Sequence, residues 1–180
     1  MPKLILVRHC ASSGQSPDAP LTEAGAQAAE RLVERLARLD PDAVYSSPYV
    51  RAVTTVSPFA ERAGLPIRQE PRLHERVLAA EPLDDWLEHI RRSYDDVDHR
   101  PGPGGETLRE VEARGCAALA DIAANGHRLP IAASHGNLIS AILRAADPRF
   151  GFEDWRRLRN PDLFEVTIEG GRPVGFVRLD

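Results

Sequence analysis

Three short apolar segments, residues 3–7, 43–45 and 129–133, each stop abruptly in a polar cluster, and stretches with helical periodicity separate them. The first ends in Arg8-His9-Cys10, the second in Ser46-Ser47-Pro48, and the third in Ser134-His135-Gly136-Asn137. Short apolar runs bounded in this way read as buried strands. After the first, Thr22 is a candidate N-cap, and Ala29, Leu32, Val33, Leu36 and Leu39 recur at helical spacing. Residues 106–124 form a longer helical stretch that Asn125-Gly126 closes. Strands alternating with helices predict an α/β fold of three layers, a mostly parallel central sheet flanked by helices. In such sheets ligands lie beyond the carboxyl ends of the strands. Parallel pairing would therefore bring the three polar clusters to one edge.

The remaining pattern fills in this frame. A helix is expected near Tyr49, with Arg51 in its first turn and a kink or break at Pro58. Residues 66–69 suggest another strand, 84–94 and 154–159 helices, and 98–105 a Pro/Gly-rich loop. A helix after the third polar cluster should reach about residue 145. Residues 163–168 and 174–179 flank Glu169-Gly170-Gly171-Arg172 and read as a hairpin. No repeat or long linker divides the chain, so residues 1–180 are expected to form a single domain.

Composition narrows the function. The 180 residues are 42% hydrophobic and 28% charged, which suits one soluble domain with its own core. A net charge of -4 without long runs of one sign argues against a nucleic-acid or membrane surface. Cys10 and Cys116 make neither a disulfide framework nor a CxxC zinc motif. The N-terminal apolar run is too short for a signal peptide, and no stretch approaches the roughly 20 residues of a membrane span. A cytoplasmic location is the expectation.

The clusters carry a recognisable chemistry. Arg8 and Arg51 supply planar donor forks suited to phosphate or carboxylate. His9 and His135 have an ordinary pKa of about 6.5. One is expected to be a neutral nucleophile and the other a cationic donor. The helix starts after His135 and near Tyr49 are expected to offer unpaired backbone N–H groups to an anion. Together they describe a pocket for a dianion, as phosphoryl transfer requires.

Arg8-His9 resembles the Arg-His-Gly signature of the histidine phosphatase superfamily, which includes cofactor-dependent phosphoglycerate mutases, broad-specificity phosphatases and acid phosphatases. Five further segments resemble that family in its order: Asp18 through Gly25, Ser46 through Ala52, Leu73-His74-Glu75, Gly104 through Thr107, and Ser134-His135-Gly136. The resemblance implies a phosphoglycerate mutase-like fold and metal-independent hydrolysis of phosphomonoesters without a cofactor. It also implies roles. His9 becomes phosphohistidine; Arg8, Arg51 and His135 hold the phosphoryl oxygens; Glu75 protonates the leaving oxygen and then activates water. Gln15, Gly136 and Asn137 are candidate substrate contacts. Arg76, Arg91 and Arg92 resemble mutase arginines that bind a substrate carboxylate, although a solvated helix face accounts equally well for Arg91 and Arg92. The partner is then a small phosphorylated metabolite.

Cys10 stands where that family usually carries glycine, and oxidation beside the nucleophile is one reading of it. Several alternatives compete with a small-molecule phosphatase. A mutase is one, but Val77-Leu78-Ala79-Ala80 follows Glu75-Arg76 where mutases usually place Tyr and a Gly-rich stretch. The terminal hairpin also lacks the tail that shields phosphohistidine in mutases. A protein-phosphohistidine phosphatase and a non-catalytic phospho-ligand binding module are others. A cysteine-dependent phosphatase fits poorly, since the sixth residue after Cys10 is Ser16 rather than arginine.

Overall fold

The computed structural model describes residues 1–179. Strands β1 (Lys3–Arg8), β2 (Ala43–Ser46), β3 (Ile67–Gln69) and β4 (Pro130–Ser134) run parallel, and β5 (Asp162–Glu169) and β6 (Arg172–Leu179) add an antiparallel hairpin. They form one sheet in the order β3-β2-β4-β1-β5-β6. The helices are α1 (Glu23–Leu39), α2 (Val50–Ala63), α3 (Trp86–Asp95), α4 (Leu108–Ala124), α5 (Gly136–Ala146) and α6 (Phe152–Arg156).

Strand residues alternate between two faces, and this divides the core. Leu4 and Leu6 of β1 pack with Leu119 and Ile122 of α4 and Leu138 and Ile142 of α5. Ile5 and Val7 pack on the other side with Leu32 and Leu36 of α1 and Val56 and Phe59 of α2. This is the expected three-layer arrangement. Each fully buried leucine or isoleucine contributes about 1.5–3 kcal/mol.

Local chemistry explains most boundaries. Thr22 caps α1 by accepting from the Gly25 amide at 3.0 Å. α4 begins two residues later than its pattern suggests. Thr107 and Glu110 form a capping box there, while the Glu106 carboxylate is drawn to Arg114 and to the Val77 amide, each at 2.9 Å. Pro58 lies inside α2 without dividing it. Val56 before it and Phe59 and Ala60 after it belong to the same core, so both halves pack on the same side of the sheet. The hairpin turns at Gly170 and Gly171, whose φ values of 55° and 75° match a two-residue turn that twists with its strands.

Register then positions the polar clusters. Arg8 pairs with Ser134, and Ser46 with Ala133. The ladder continues one step further through His9 N–H to the Ser134 carbonyl at 3.0 Å and Ser47 N–H to the Ala133 carbonyl at 2.9 Å. The three clusters thus share the carboxyl edge of the sheet. Among the described residues no helix is long and apolar enough to cross a membrane.

Candidate active site

His9 follows β1 directly and is nearly buried, with 7% of its surface exposed. Its Nδ1 lies 2.6 Å from the Cys10 carbonyl, which can only accept, so Nδ1 carries the ring proton. Nε of Arg51 donates to Nε2 at 3.3 Å, so Nε2 carries the lone pair. The two contacts agree on one tautomer. Burial, and then the charges of Arg51 and Arg8, outweigh the Cys10 hydrogen bond and pull the pKa down to about 4. His9 is therefore neutral at physiological pH, with its lone pair on Nε2.

Arg51 is wholly buried in the first turn of α2. Its Nη1 donates to the carbonyls of Gln15 at 3.1 Å and Ser16 at 2.8 Å, and the guanidinium lies 5.1 Å from the Tyr49 ring centre. Arg8 is tethered by Nη1 to the carbonyls of Leu158 at 3.0 Å and Arg159 at 3.4 Å. Burial lowers both arginines from their ordinary value and nearby Glu75 opposes this, but guanidinium stays charged in either case.

His135 is completely buried at the N-cap of α5. Its ring lies 5.2 Å from that of His9, and its Nε2 is 2.8 Å from Ser47 Oγ. Burial first, then electrostatic repulsion within the basic cluster of His9, Arg51, His74 and Arg8, holds its pKa well below the ordinary value. The expected cationic donor is thus corrected: a second proton on His135 would stand buried beside two arginines, so both rings are neutral.

Glu75 approaches from the far end of the turn that follows the 3-10 segment Pro71–Leu73. Its carboxylate accepts from the α5 amides of Asn137 and Leu138, each at 3.2 Å, and from its neighbour Arg76 at 2.8 Å. Two amides of the helix N-terminus that was expected to hold an anion are therefore already taken by this carboxylate. The start of α2 is engaged too, with the Val50 amide donating to the Pro17 carbonyl. Side-chain nitrogens remain open beside them. Among the described residues, Arg8 Nε, Arg51 Nη2 and His135 Nδ1 are buried nitrogens without a protein partner.

Other residues named from the sequence fall in different places. A Cβ on Gly136 would sit 3.0–3.1 Å from the Arg8 guanidinium, so glycine lets Arg8 lie over the start of α5. Gln15 is exposed, and its backbone carbonyl rather than its amide side chain reaches the cluster. Arg76 is buried between the Glu106 carbonyl at 3.1 Å and Ser93 Oγ at 2.8 Å, where it ties α3 to the start of α4. Arg91 is paired on its own helix with Glu88 at 2.7 Å and Asp95 at 2.8 Å, and among the described residues no hydrogen bond joins Arg91 or Arg92 to the cluster. Cys10 is fully buried with its amide held by Thr55 at 2.8 Å. Burial pushes its thiol up, which suppresses the reactive thiolate and counts against a redox role.

Sequence reasoning passed over Ser47 as a site residue, and over Tyr49, whose ring centre lies 5.0 Å from that of His135 in a T-shaped contact. It also missed the 158–160 loop, where Asn160 Nδ2 donates to the His9 carbonyl at 2.8 Å. The Ser-Ser-Pro segment before Arg51 was the available signal for Ser47; nothing local marked the loop.

The chain is similar to several known proteins. The histidine phosphatase superfamily (branch 1) matches residues 4–176. Phosphoserine phosphatase 1 of Hydrogenobacter thermophilus is 33% identical over 129 residues, covering 63% of this chain; the chain spans only 61% of that protein's length. The probable phosphoglycerate mutase GpmB of an Enterobacter species is 31% identical over 187 residues, covering 94% of this chain and 86% of that protein. A mycobacterial glucosyl-3-phosphoglycerate phosphatase, solved in complex with inorganic phosphate, superimposes with a TM-score of 0.78 at 24% identity, covering 100% of this chain and 96% of that one; this likeness shows the fold. With its family match running almost end to end, the chain belongs to the histidine phosphatase superfamily.

Proposed function

We propose that the protein is a metal-independent phosphatase of small phosphorylated metabolites, working through a phosphohistidine. The observation that carries this is the set of three buried, unpartnered nitrogens, Arg8 Nε, Arg51 Nη2 and His135 Nδ1, in the cluster that holds the neutral His9 ring. Such donors match a phosphoryl group's oxygens and stabilise the charge it spreads during transfer.

In the first step His9 Nε2 attacks phosphorus, and the bond from phosphorus to the ester oxygen breaks. Glu75 delivers a proton to that oxygen, and the alcohol leaves. Glu75 then takes a proton from water, whose oxygen attacks phosphorus and frees His9. Asn137 and Leu138 orient Glu75 through their amides, and Gly136 gives Arg8 its room. Arg76 acts by holding the 74–106 segment in place. The named activities of the relatives, a phosphoserine phosphatase and a phosphoglycerate mutase, support a small substrate carrying a carboxylate.

Hydrolysis of phosphoserine, 3-phosphoglycerate and an aryl phosphate with EDTA present tests this reading. Phosphate release by wild type, lost by at least about 10³-fold in His9→Ala, is expected for a covalent nucleophile. Acid-quenched enzyme should hold label on His9. Equal turnover by His9→Ala would overturn the proposal, and interconversion of phosphoglycerates without phosphate release would make the protein a mutase.

A further inference from the structure

We propose that Ser47 is a positioning residue that sets the tautomer of His135, donating its hydroxyl proton to Nε2 and so keeping the ring proton on Nδ1, directed at the phosphoryl site. This rests on the phosphatase reading for its catalytic meaning, but the tautomer can be measured without it.

Ser47 is completely buried at the carboxyl end of β2. Its Oγ has two polar neighbours, the Tyr49 amide at 3.2 Å and His135 Nε2 at 2.8 Å. The amide can only donate, so it fills a lone pair of Oγ. The hydroxyl's single proton then has one acceptor to turn to, the Nε2 lone pair. The neighbouring Ser46 hydroxyl is spent on the Ser47 carbonyl at 2.8 Å and does not compete. A buried hydroxyl proton without an acceptor is costly, so the arrangement that satisfies it prevails.

The consequence falls on the other ring nitrogen. With Nε2 accepting, the proton of a neutral His135 resides on Nδ1, the buried atom that has no protein partner. In the opposite tautomer, Nδ1 would present a lone pair to phosphoryl oxygens and repel them. Ser47 therefore decides whether a neutral imidazole attracts or repels the transferred group. Burial among positive groups keeps His135 neutral, so the ring cannot escape this choice by taking a second proton. The Tyr49 ring, edge-on to His135 at 5.0 Å and carried by the same turn as the amide, fixes the imidazole plane.

Imidazole ¹H–¹⁵N correlation spectra of the labelled full-length protein near neutral pH test the proposal, with the His135 signals assigned from a His135→Gln spectrum. Wild type should show His135 protonated at Nδ1. Ser47→Ala should lose that preference, and kcat should fall by about 10²-fold, as for removal of one preorganised donor. Ser47→Thr, which keeps the hydroxyl, should restore both. A general packing defect would not shift the tautomer selectively. A wild-type His135 protonated at Nε2, or an unchanged tautomer in Ser47→Ala, would overturn the proposal. An enzyme inert toward every phosphomonoester, yet with His135 protonated at Nδ1, would instead count against the phosphatase reading and leave the assignment of Ser47 standing.

Discussion

Nε of Arg51 donates to Nε2 of His9 across 3.3 Å, so a buried guanidinium sits on the lone pair that the proposed reaction would use. The same guanidinium is braced by the carbonyls of Gln15 and Ser16 through Nη1. A planar fork makes these bonds at once, and an ammonium cannot. Arg51→Lys should therefore lower kcat/KM by about 10²–10³-fold, close to the loss in Arg51→Ala. Steady-state kinetics on one phosphomonoester decide this; near-normal Arg51→Lys would show that charge alone suffices.

Acid should erode stability through His9. The ring titrates at 6.5 when exposed and at about 4 in the fold. Between those values the unfolded chain binds a proton that the folded one does not, so stability rises with pH through this window and falls as pH drops from 6.5 toward 4. His135 is shifted in the same direction. Denaturant unfolding at pH 7 and pH 5 should show wild type losing about 2 kcal/mol more than His9→Ala, at 1.36 kcal/mol per pKa unit. The nucleophile should also stay neutral, and the enzyme active, well below pH 6.5. Parallel losses in both proteins would refute the assignment.

Gly136→Ala tests the seat of Arg8. The new Cβ would fall 3.0–3.1 Å from a guanidinium that Leu158 and Arg159 hold from the other side. Displacing it is an overpacking cost of about 1–3 kcal/mol, which should appear as a rise of about tenfold or more in the inhibition constant of inorganic phosphate. The fold should survive, because alanine suits a helix. Unchanged phosphate inhibition would place Arg8 outside the anion site.

Glu75→Gln should separate proton transfer from placement. The amide oxygen can keep the Arg76 and Leu138 amides, which share one carboxylate oxygen, while the Asn137 bond to the other oxygen is lost, and the group cannot carry a proton to the ester oxygen. Loss of general acid–base catalysis predicts a fall of about 10²–10⁴-fold on alkyl phosphates. The first step on an aryl phosphate, whose leaving group needs little protonation, should suffer much less in a burst experiment. Equal losses on both would point to another acid.

Gly25→Ala should destabilise the fold and the site together. A Cβ there would lie 2.1 Å from the Ala11 carbonyl oxygen, which is backbone and cannot swing aside. Relief must displace α1 or the 11–21 loop that carries the Gln15 and Ser16 carbonyls bound to Arg51. We expect a loss of about 1–3 kcal/mol in unfolding free energy, accompanied by weaker phosphate binding. An unaltered melting temperature would contradict this.

Much of the architecture was legible in local sequence. Leu4 through Val7 and Ile131 through Ala133 announce strands because alternate residues must be buried on both faces. The Thr22 cap, the helical spacing of Leu32 and Leu36, and the paired glycines at 170–171 are short-range effects that a chain carries with it. Parallel order of β1, β2 and β4 then brings His9, Ser47 and His135 together. Boundaries moved where a distant partner competed, as when Arg114 draws Glu106 out of α4.

By itself, then, the sequence determined which residues stand at the strand ends and how strands and helices alternate, because periodicity and turn chemistry act over a few residues. The tertiary structure alone decided what those residues are like. Neutral His9 and His135 follow from desolvation beside arginines, which no local pattern encodes. The clamp on Arg8 comes from carbonyls about 150 residues away, and two amides of α5 are taken by the carboxylate of Glu75, more than 60 residues upstream. Arg91, plausible as a ligand on paper, is claimed by Glu88 and Asp95 on its own helix. Protonation and hydrogen-bond assignment depend on which groups are removed from water together, and only the folded packing of distant segments settles that.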